Sequence, residues 1–487
     1  MIRTFSETVL VAAQQSAWMR ELFVALRTNL GLLLGPAVAC FIWMLPLGVT
    51  PDQQKTLAIL ALMIIYWLTE PIDHGLTALI GCYLFWALKV TKFSVAFSGY
   101  TNSTIWFLFS SLLMAEAASR TGLAKRLGYS FMRRVGNSSG QIRSGFIALT
   151  FLLAFFVPSG MGRLGLLAPL TVGIVKAAGL SERGNFAKGL FVMVTSICGL
   201  IDVMVLSGAT SMMTRGIVEE QTGIQLLWSQ WLFACLPLTL FTLFAAIGIV
   251  RWLYPTEAAE PSAGIQYFQK ELSTMGPWTG AEKKLLFWFS LAMVLWATDF
   301  LHHVNPAVVG LGVGLALSLP KLGVLDIKAA KQINFFIIIF SAGALSTGAV
   351  LQDTKILLLL TDQLVAFIQP FLGNAFTYTI TIYIAAFLYH FIFANRQTML
   401  VTSLPLLLVF AMNHGLNAIP LALLWTIGGG GGLFVYQSGV YVLGYSYGYF
   451  DAKDFIKVGL LLTLVQAILL VVIVPYYWPL IGLSWVR

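Results

Sequence analysis

Apolar segments separated by short polar ones run through almost the whole chain. A run of roughly 17 to 25 apolar residues is long enough to cross about 30 Å of hydrocarbon as a helix. The chain is therefore predicted to be an all-α polytopic membrane protein with about eleven transmembrane helices. The predicted crossings are residues 29–48, 53–70, 75–92, 104–119, 188–214, 228–254, 285–301, 306–321, 334–351, 419–446 and 455–482.

Two further apolar segments, 145–178 and 375–413, contain glycine, proline or polar interruptions. Each is either a kinked crossing or a re-entrant hairpin, because non-helical backbone at membrane depth is tolerated only beside protein or a water-filled cavity. The helices at 188–214 and 419–446 are also interrupted, the second by the five glycines 428–432. Each glycine costs a helix about 1 kcal/mol relative to alanine, so we expect unwound backbone there.

One pattern occurs twice in the chain. The segment Trp106–Leu127 is echoed by Phe335–Ile356, and each copy leads to an apolar run with an embedded arginine and a late proline. These prolines are Pro169 and Pro405, and a Gly-Leu pair follows ten residues after each of them. The chain therefore contains an internal repeat.

The two copies of the repeat carry different charge. The second connecting segment has Lys355 balanced by Asp353 and Asp362. The first has no acidic residue and six basic ones, Arg120, Lys125, Arg126, Arg133, Arg134 and Arg143. Short basic loops stay cytoplasmic, so the copies are predicted to face opposite sides of the membrane. Inverted repeats of this kind form the midplane sites of secondary transporters.

The repeat and a polar break divide the chain into four predicted regions. Residues 1–28 are predicted to form an interfacial helix, with a loosely ordered tail as the alternative. Residues 29–255 form the first half, with scaffold helices, the first hairpin and the first broken helix. Residues 256–284 form a cytoplasmic linker, and residues 285–487 form the second half, with the second hairpin and the second broken helix.

Composition excludes several other classes of protein. Of the 487 residues, 58% are hydrophobic and 10% are charged, whereas about a quarter of a soluble domain is charged. The net charge of +9 comes from dispersed basic residues, without the aromatic-interleaved basic face of a nucleic-acid binder. The four cysteines lie in apolar stretches without metal-ligand spacing, and we expect them to be buried thiols.

Two strings, YWLTEPIDHGLTALIG (Tyr66–Gly81) and TGLAKRLGYSFMRRVG (Thr121–Gly136), are distinctive. They resemble conserved stretches of the divalent anion:sodium symporter family, in the ion transporter superfamily, whose members carry dicarboxylates, citrate or sulfate. The resemblance covers most of the chain from residue 55 onward. It implies a homodimeric elevator-type transporter, in which two re-entrant hairpins of an inverted repeat meet at the substrate.

The chain departs from that family's pattern at the expected site. The family's hairpin tips read S-N-T-A-T and bind sodium and carboxylates, whereas the tips here read SGMGR (Ser159–Arg163) and ANRQT (Ala394–Thr398). Its broken helices carry T-P-P-N, in place of which stand SGATS (Ser207–Ser211) and QSGVY (Gln437–Tyr441). Hard cations need clustered oxygen ligands, so we expect no cofactor and no metal, with sodium as the alternative.

Arg163 and Arg396 are the sharpest candidates for a functional role. An arginine inside an apolar membrane segment faces protein or water, and its guanidinium binds carboxylate or sulfate through two parallel bonds. Two such charges would balance a dianion in place of the sodium ions that the family uses. The alternative is that both arginines are structural and hold the backbones of the predicted hairpins. Arg163 stands six residues before Pro169 and Arg396 nine before Pro405, which leaves the register of the tips open.

Asp202 is the candidate coupling residue, because a carboxylate inside an apolar run is typical of proton relays and counter-ions. Our hypothesis is that it pairs with Arg163 or Arg396 in the empty site and takes a proton when substrate binds the arginine. A static ion pair is the alternative. Polar groups at the tips and breaks complete the predicted substrate site: Ser159, Gly160, Arg163, Asn395, Arg396, Thr398, Ser207, Thr210, Gln437 and Ser438.

These features predict a secondary active transporter of small dianions, dicarboxylate-like or sulfate-like, in a bacterial cytoplasmic membrane. Transport is expected to be proton-coupled or exchanging, with a small anion, the lipid bilayer and a second copy of the chain as partners and no nucleic acid. The alternatives are a sodium-coupled symporter, a passive anion channel and a membrane-embedded enzyme. The sequence has no H-E-x-x-H, G-x-S-x-G or Walker-type motif, which speaks against an enzyme.

Overall fold

The computed structural model describes residues 30–136, 138–157, 159–206, 208–256, 264–357, 373–391 and 396–486. The predicted interfacial helix at residues 1–28 lies outside them. The helices of the first half are α1 (Leu30–Met44), α2 (Pro51–Thr69), α3 (His74–Ala87), α4 (Ser103–Thr121), α5 (Leu123–Met132), α6 (Ser139–Phe156), α7 (Gly160–Ala177), α8 (Asn185–Leu200), α9 (Ala209–Thr222) and α10 (Trp228–Leu253).

The remaining helices belong to the predicted linker and to the second half, which has the same order of long and broken segments. They are α11 (Gly264–Thr274), α12 (Gly280–Ala297), α13 (Pro306–Ser318), α14 (Phe335–Asp353), α15 (Ala375–His390), α16 (Arg396–Asn413), α17 (Ala418–Gly428), α18 (Gly439–Ser446) and α19 (Ala452–Val472). Short helical turns lie between some of them, and an isolated antiparallel bridge joins Leu416 to Val486. The described part of the chain is thus helical, as predicted.

The helices break where glycine, proline and polar residues interrupt the apolar pattern. The segment predicted at 188–214 is divided into α8 and α9, and the one at 419–446 into α17 and α18. The five-glycine run begins where α17 ends, which fits the cost of glycine in a helix. The predicted linker, in contrast, contains the helix α11, where the buried Phe268 packs beside Tyr129.

Four described helical segments are long and apolar enough to cross a membrane by length and composition. They are Asn185–Val203, Trp228–Leu253, Phe335–Asp353 and Ala452–Ile481. Other apolar helices, such as α3 and α13, are shorter than 18 residues. The number of crossings therefore stays a prediction.

The described backbone repeats its turns and caps between the two halves. Thr50 and Thr279 each begin a helix with a capping box, which satisfies two N–H groups of the first turn. Residues with positive φ recur in matched order: Glu70 and His303, Lys89 and Lys321, Gly179 and Gly415. These turns agree with the repeat that the sequence predicts.

Pro169 and Pro405 allow the two segments predicted to be hairpins to be aligned. The helices α7 and α16 both have 18 residues, and Pro169 and Pro405 are each the tenth residue. In this register Arg163 is the fourth residue of α7, whereas Arg396 is the first residue of α16. The two arginines therefore do not occupy equivalent positions.

The chain forms two compact units. One comprises Met1–Thr101 and Phe335–Leu359, in which α14 packs along α3. A Cβ on Gly343 would lie 2.7 Å from the Ala78 Cβ, so the glycine allows a close helix contact. Cys82 is buried in this unit, but Cys40 is exposed on α1, which corrects the expectation of four buried thiols.

The other unit comprises Asn102–Asn334 and Leu360–Arg487. Within it, α7 packs against α8 and α18, and α16 packs against α17 and α9. The helix α7 thus contacts α8, the first part of the broken helix that follows it, and α18, the second part of the broken helix in the other half. In the same way, α16 contacts α17, which follows it, and α9 from the first half. This exchange brings the ends of both broken helices beside the hairpin arginines.

Candidate functional site

The candidate site lies at the end of α8, where the chain continues through a short 3-10 turn. The last carbonyl groups of a helix lack intrahelical partners and carry the negative end of the helix dipole. Arg163 Nη2 donates to the Cys198 carbonyl at 3.1 Å, and Arg396 Nη2 donates to the Gly199 carbonyl at 3.1 Å. The two predicted arginines therefore meet at one helix end.

Arg163 is held mainly by the protein itself. It is 1% exposed, and its Nη1 donates to the Val157 carbonyl at 2.8 Å. Its Nη2 also lies 3.1 Å from Asp202 Oδ1, which makes an ion pair. A buried charge of this kind is tolerated because a carboxylate and carbonyl groups surround it.

Asp202 connects three parts of the site. Its Oδ1 accepts from Arg163 and, at 3.1 Å, from the backbone N–H of Gly160, the first residue of α7. The carboxylate therefore lies at the positive end of the α7 dipole. Gly160 permits this approach, because a Cβ there would lie 2.8 Å from the Cys198 carbonyl oxygen.

Arg396 differs from Arg163 in charge balance: each arginine keeps one donor without a partner among the described residues (Nε in Arg163), but only Arg163 forms an ion pair there. Arg396 is 7% exposed, and its Nη1 has no hydrogen-bond partner among the described residues. The ion pairs of the described chain include none to Arg396. Since Asp202 balances Arg163, the uncompensated positive charge at this helix end belongs to Arg396.

Tyr441 ends the QSGVY string, but the sequence analysis did not include it among the candidate site residues. It is 1% exposed, and it lies within electrostatic range of Arg396 and Asp202. The ring of Tyr441 packs closely against Gly199 and Gly432. A Cβ on Gly199 would lie 2.3 Å from this ring, and a Cβ on Gly432 would lie 2.5 Å from it. The Tyr441 hydroxyl interacts with the Arg396 guanidinium and forms no standard hydrogen bond to any other described residue.

The other predicted polar residues divide into caps and unpartnered groups. Ser159 accepts from the Gly162 N–H and Ser438 from the Val440 N–H, both at 3.3 Å, so each begins a helix. Gln437 accepts from the Leu433 and Phe434 N–H groups at 2.8 Å, while its Nε2 has no partner among the described residues. The same is true of the Thr398 hydroxyl, which is 1% exposed.

Thr210 is not brought into this arrangement, and two further predicted residues cannot be placed. Thr210 is buried near the start of α9, and the recorded contacts of the described residues do not join it to either arginine. Ser207 and Asn395 lie outside the described residues. Groups of histidine, cysteine or carboxylate residues that could hold a metal ion do not occur in the described ranges.

A small cavity of about 20 Å³ lies beside Gly430, on the second broken helix. It is also lined by Gln466, whose Oε1 has no partner within the described chain. A Cβ on Gly430 would lie 3.7 Å from Arg396 Nη1. A cavity of this size has room for about one water molecule.

A second buried ion pair lies away from this site. Arg215 on α9 is fully buried, and its Nη2 lies 2.7 Å from Glu219 Oε1 and donates to Asn305 Oδ1 at 2.9 Å. Glu219 in turn accepts from the Leu226 N–H. Although its Nη1 has no partner among the described residues, Glu219 balances the charge of Arg215, so we assign it a structural role.

Comparison with known proteins gives a consistent result. The family described as "Sodium:sulfate symporter transmembrane region" matches residues 26–484. A membrane protein of Cupriavidus necator is 30% identical over 331 residues, which span 64% of this chain and 64% of that protein, less than two thirds of its length. The citrate/succinate antiporter of Escherichia coli K12 is 23% identical over 94% of this chain and 99% of that protein.

A solved structure has a similar fold. The crystal structure of the Alcanivorax borkumensis YdaH transporter matches with a TM-score of 0.57 at 14% sequence identity. The match covers 82% of this chain and 89% of the other. At that identity the likeness concerns the fold alone.

Proposed function

Because this chain belongs to the sodium:sulfate symporter transmembrane region family, we propose that it is a secondary active transporter of small dianions. The family and its named relatives are transporters and not enzymes, and the chain is a multi-pass protein of the cell membrane. A citrate/succinate antiporter aligned over nearly the whole chain supports a dicarboxylate-like substrate. The family description supports a sulfate-like one as the second candidate.

The proposed mechanism is an elevator built on an inverted repeat with two re-entrant hairpins. The matched left-handed turns and the equal lengths of α7 and α16 support the repeat. The exchanged packing of the hairpin helices and the broken helices supports a site shared by both halves. A homodimer in a bacterial cytoplasmic membrane completes the proposal, as the family resemblance implies.

The substrate is proposed to bind to Arg396. The observation that supports this most strongly is that Arg396 Nη1 is a buried, unpaired donor on a guanidinium whose charge is not balanced by a described carboxylate. The Tyr441 hydroxyl and the unpartnered Thr398 hydroxyl and Gln437 Nε2 supply further donors. A buried polar group without a partner costs roughly 1 to 3 kcal/mol. An anion that accepts from these groups would recover that free energy.

Arg163 is proposed to act as a tethered cation. Its guanidinium occupies a cage made by two backbone carbonyls and the Asp202 carboxylate, which are the oxygen ligands that a hard cation would use. A fixed cation in that place would make transport independent of sodium. Coupling would then come from anion exchange or from a proton that Asp202 takes when the site is loaded.

The test is uptake of a labelled anion panel into proteoliposomes, with sodium, proton and counter-anion gradients imposed one at a time. We expect saturable uptake and counterflow without sodium. Uptake that requires a sodium gradient would contradict the tethered-cation role, and non-saturable flux without counterflow would favour a channel. For Asp202→Asn, an unchanged pH profile would remove the proton role and leave exchange.

A further inference from the structure

An apolar groove runs along the outside of the larger unit, between α6 and α10. It has a volume of about 610 Å³ and is lined from Ser144 to Phe151 on α6 and from Leu240 to Arg251 on α10. The lining positions recur every three or four residues, so they form one stripe on each helix. Phe244, which lines the groove, is 69% exposed.

The length of this α6–α10 groove matches one leaflet of a bilayer. From Leu240 to Arg251 the helix rises about 16 Å at 1.5 Å per residue. Half of the hydrocarbon core is about 15 Å thick. The groove therefore has the length of one acyl chain, with an arginine at one end and aliphatic and aromatic side chains along the rest.

The charged end of the groove offers a place for a phosphate group. A Cβ on Gly140 would lie 2.2 Å from Arg251 Nη2, so the guanidinium lies directly on the first turn of α6. The free N–H groups and the dipole of a helix start favour an anion. No described carboxylate forms an ion pair with Arg251.

The neighbouring charged groups that the structure describes do not neutralise this end. Arg143, on the next turn of α6, adds positive charge, and its Nη2 donates to the Tyr254 carbonyl at 2.8 Å. Asp454 accepts from the Tyr254 hydroxyl and lies 3.5 Å from Lys188 Nζ. Among the described residues, the nearby carboxylate is thus engaged elsewhere, and none of them pairs with Arg251.

We infer that the α6–α10 groove binds an anionic phospholipid, with its phosphate on Arg251 and one acyl chain along the groove. The basic segments on either side are the ones that the charge pattern assigns to the cytoplasm, so the lipid belongs to the cytoplasmic leaflet. Basic pockets between membrane helices on that side suit anionic head groups. The site is separate from the arginines proposed for substrate.

Native mass spectrometry of the delipidated full chain tests this inference, with phosphatidylglycerol and phosphatidylcholine of identical acyl chains. Arg251→Gln should weaken phosphatidylglycerol binding about fivefold and leave phosphatidylcholine binding unchanged. Gly248→Leu should weaken both lipids, because a Cβ there meets nothing within 4 Å and the larger side chain fills the groove.

Two matched variants serve as controls. Arg183→Gln removes an arginine that is paired with Asp451 on the surface, and Gly312→Leu adds the same side chain at another open helical glycine. Both should bind the two lipids as the parent chain does. A preference for phosphatidylglycerol that survives Arg251→Gln would overturn the head-group assignment. Unchanged lipid binding in Gly248→Leu, or conversion of a dimer to a monomer by it, would overturn the groove as a lipid site.

Discussion

The hairpin helices α7 and α16 have the same length and the same proline position, but they use their arginines differently. Arg163, the fourth residue of α7, donates to two backbone carbonyls and to Asp202. Arg396, the first residue of α16, donates a hydrogen bond from Nη2 to the Gly199 carbonyl, and its Nη1 has no partner among the described residues. A shift of three residues, nearly one helical turn, thus separates a compensated charge from an uncompensated one.

This comparison teaches that two arginines in matched segments need not share a role. In the empty site, one positive charge is balanced by a carboxylate and the other is available to a ligand. We therefore propose that Arg163 is a structural arginine and Arg396 a substrate-binding one, a division that the following variants test.

The largest effect is expected for Arg163→Gln. Removing this guanidinium leaves the Asp202 carboxylate without its cation inside the protein, which costs about 3 to 5 kcal/mol of stability. We expect a large loss of folded protein, measured by size-exclusion yield and thermal unfolding in detergent. The double variant Arg163→Gln/Asp202→Asn should recover much of the loss. Full stability of the single variant would refute the structural role.

Arg396→Gln should affect binding more than folding. Loss of a desolvated charge that pairs with the substrate should weaken anion affinity about 100-fold, with folded yield close to that of the parent chain. Isothermal titration with the transported anion measures this effect. Arg396→Lys is the matched control, because it keeps the charge but loses the two parallel N–H donors of the guanidinium. Parent-like affinity in Arg396→Gln would reverse the roles of the two arginines.

Tyr441→Phe should have an intermediate effect, since it removes a hydroxyl and keeps the ring between its two glycines. A hydrogen bond to a charged group contributes about 1.5 to 3 kcal/mol, so anion affinity should fall about tenfold or more. Uptake kinetics should show a raised KM. If the KM is unchanged and the melting temperature falls instead, the hydroxyl does not contact the substrate.

The smallest effects are expected at the helix caps Ser159 and Ser438, which occupy the starts of α7 and α18. Replacing either with alanine should cost about 1 kcal/mol of stability. Each serine hydroxyl accepts a 3.3 Å hydrogen bond from a backbone N–H of the helix that it begins. The two variants should therefore lose similar amounts of stability, measured by thermal unfolding. A much larger loss of affinity in one of them would add that serine to the substrate site.

Much of the fold could be predicted from local features. The five-glycine run and the polar strings at the tips predicted the helix breaks, because glycine and unpaired backbone groups destabilise a helix wherever they occur. Buried arginines in apolar runs pointed to Arg163 and Arg396 for the same local reason. Tyr441 was missed because nothing in its sequence neighbourhood predicts the contact with Gly199, more than two hundred residues away.

By itself, the sequence determined the helical membrane class, the internal repeat and the presence of two charges that need partners, since apolar length, residue spacing and ionisation are local properties. Only the tertiary structure decided which arginine Asp202 neutralises, and which one keeps an uncompensated charge. That outcome depends on a three-residue offset between two helices and on where a third helix ends. Such distances arise only when segments far apart in the chain pack together.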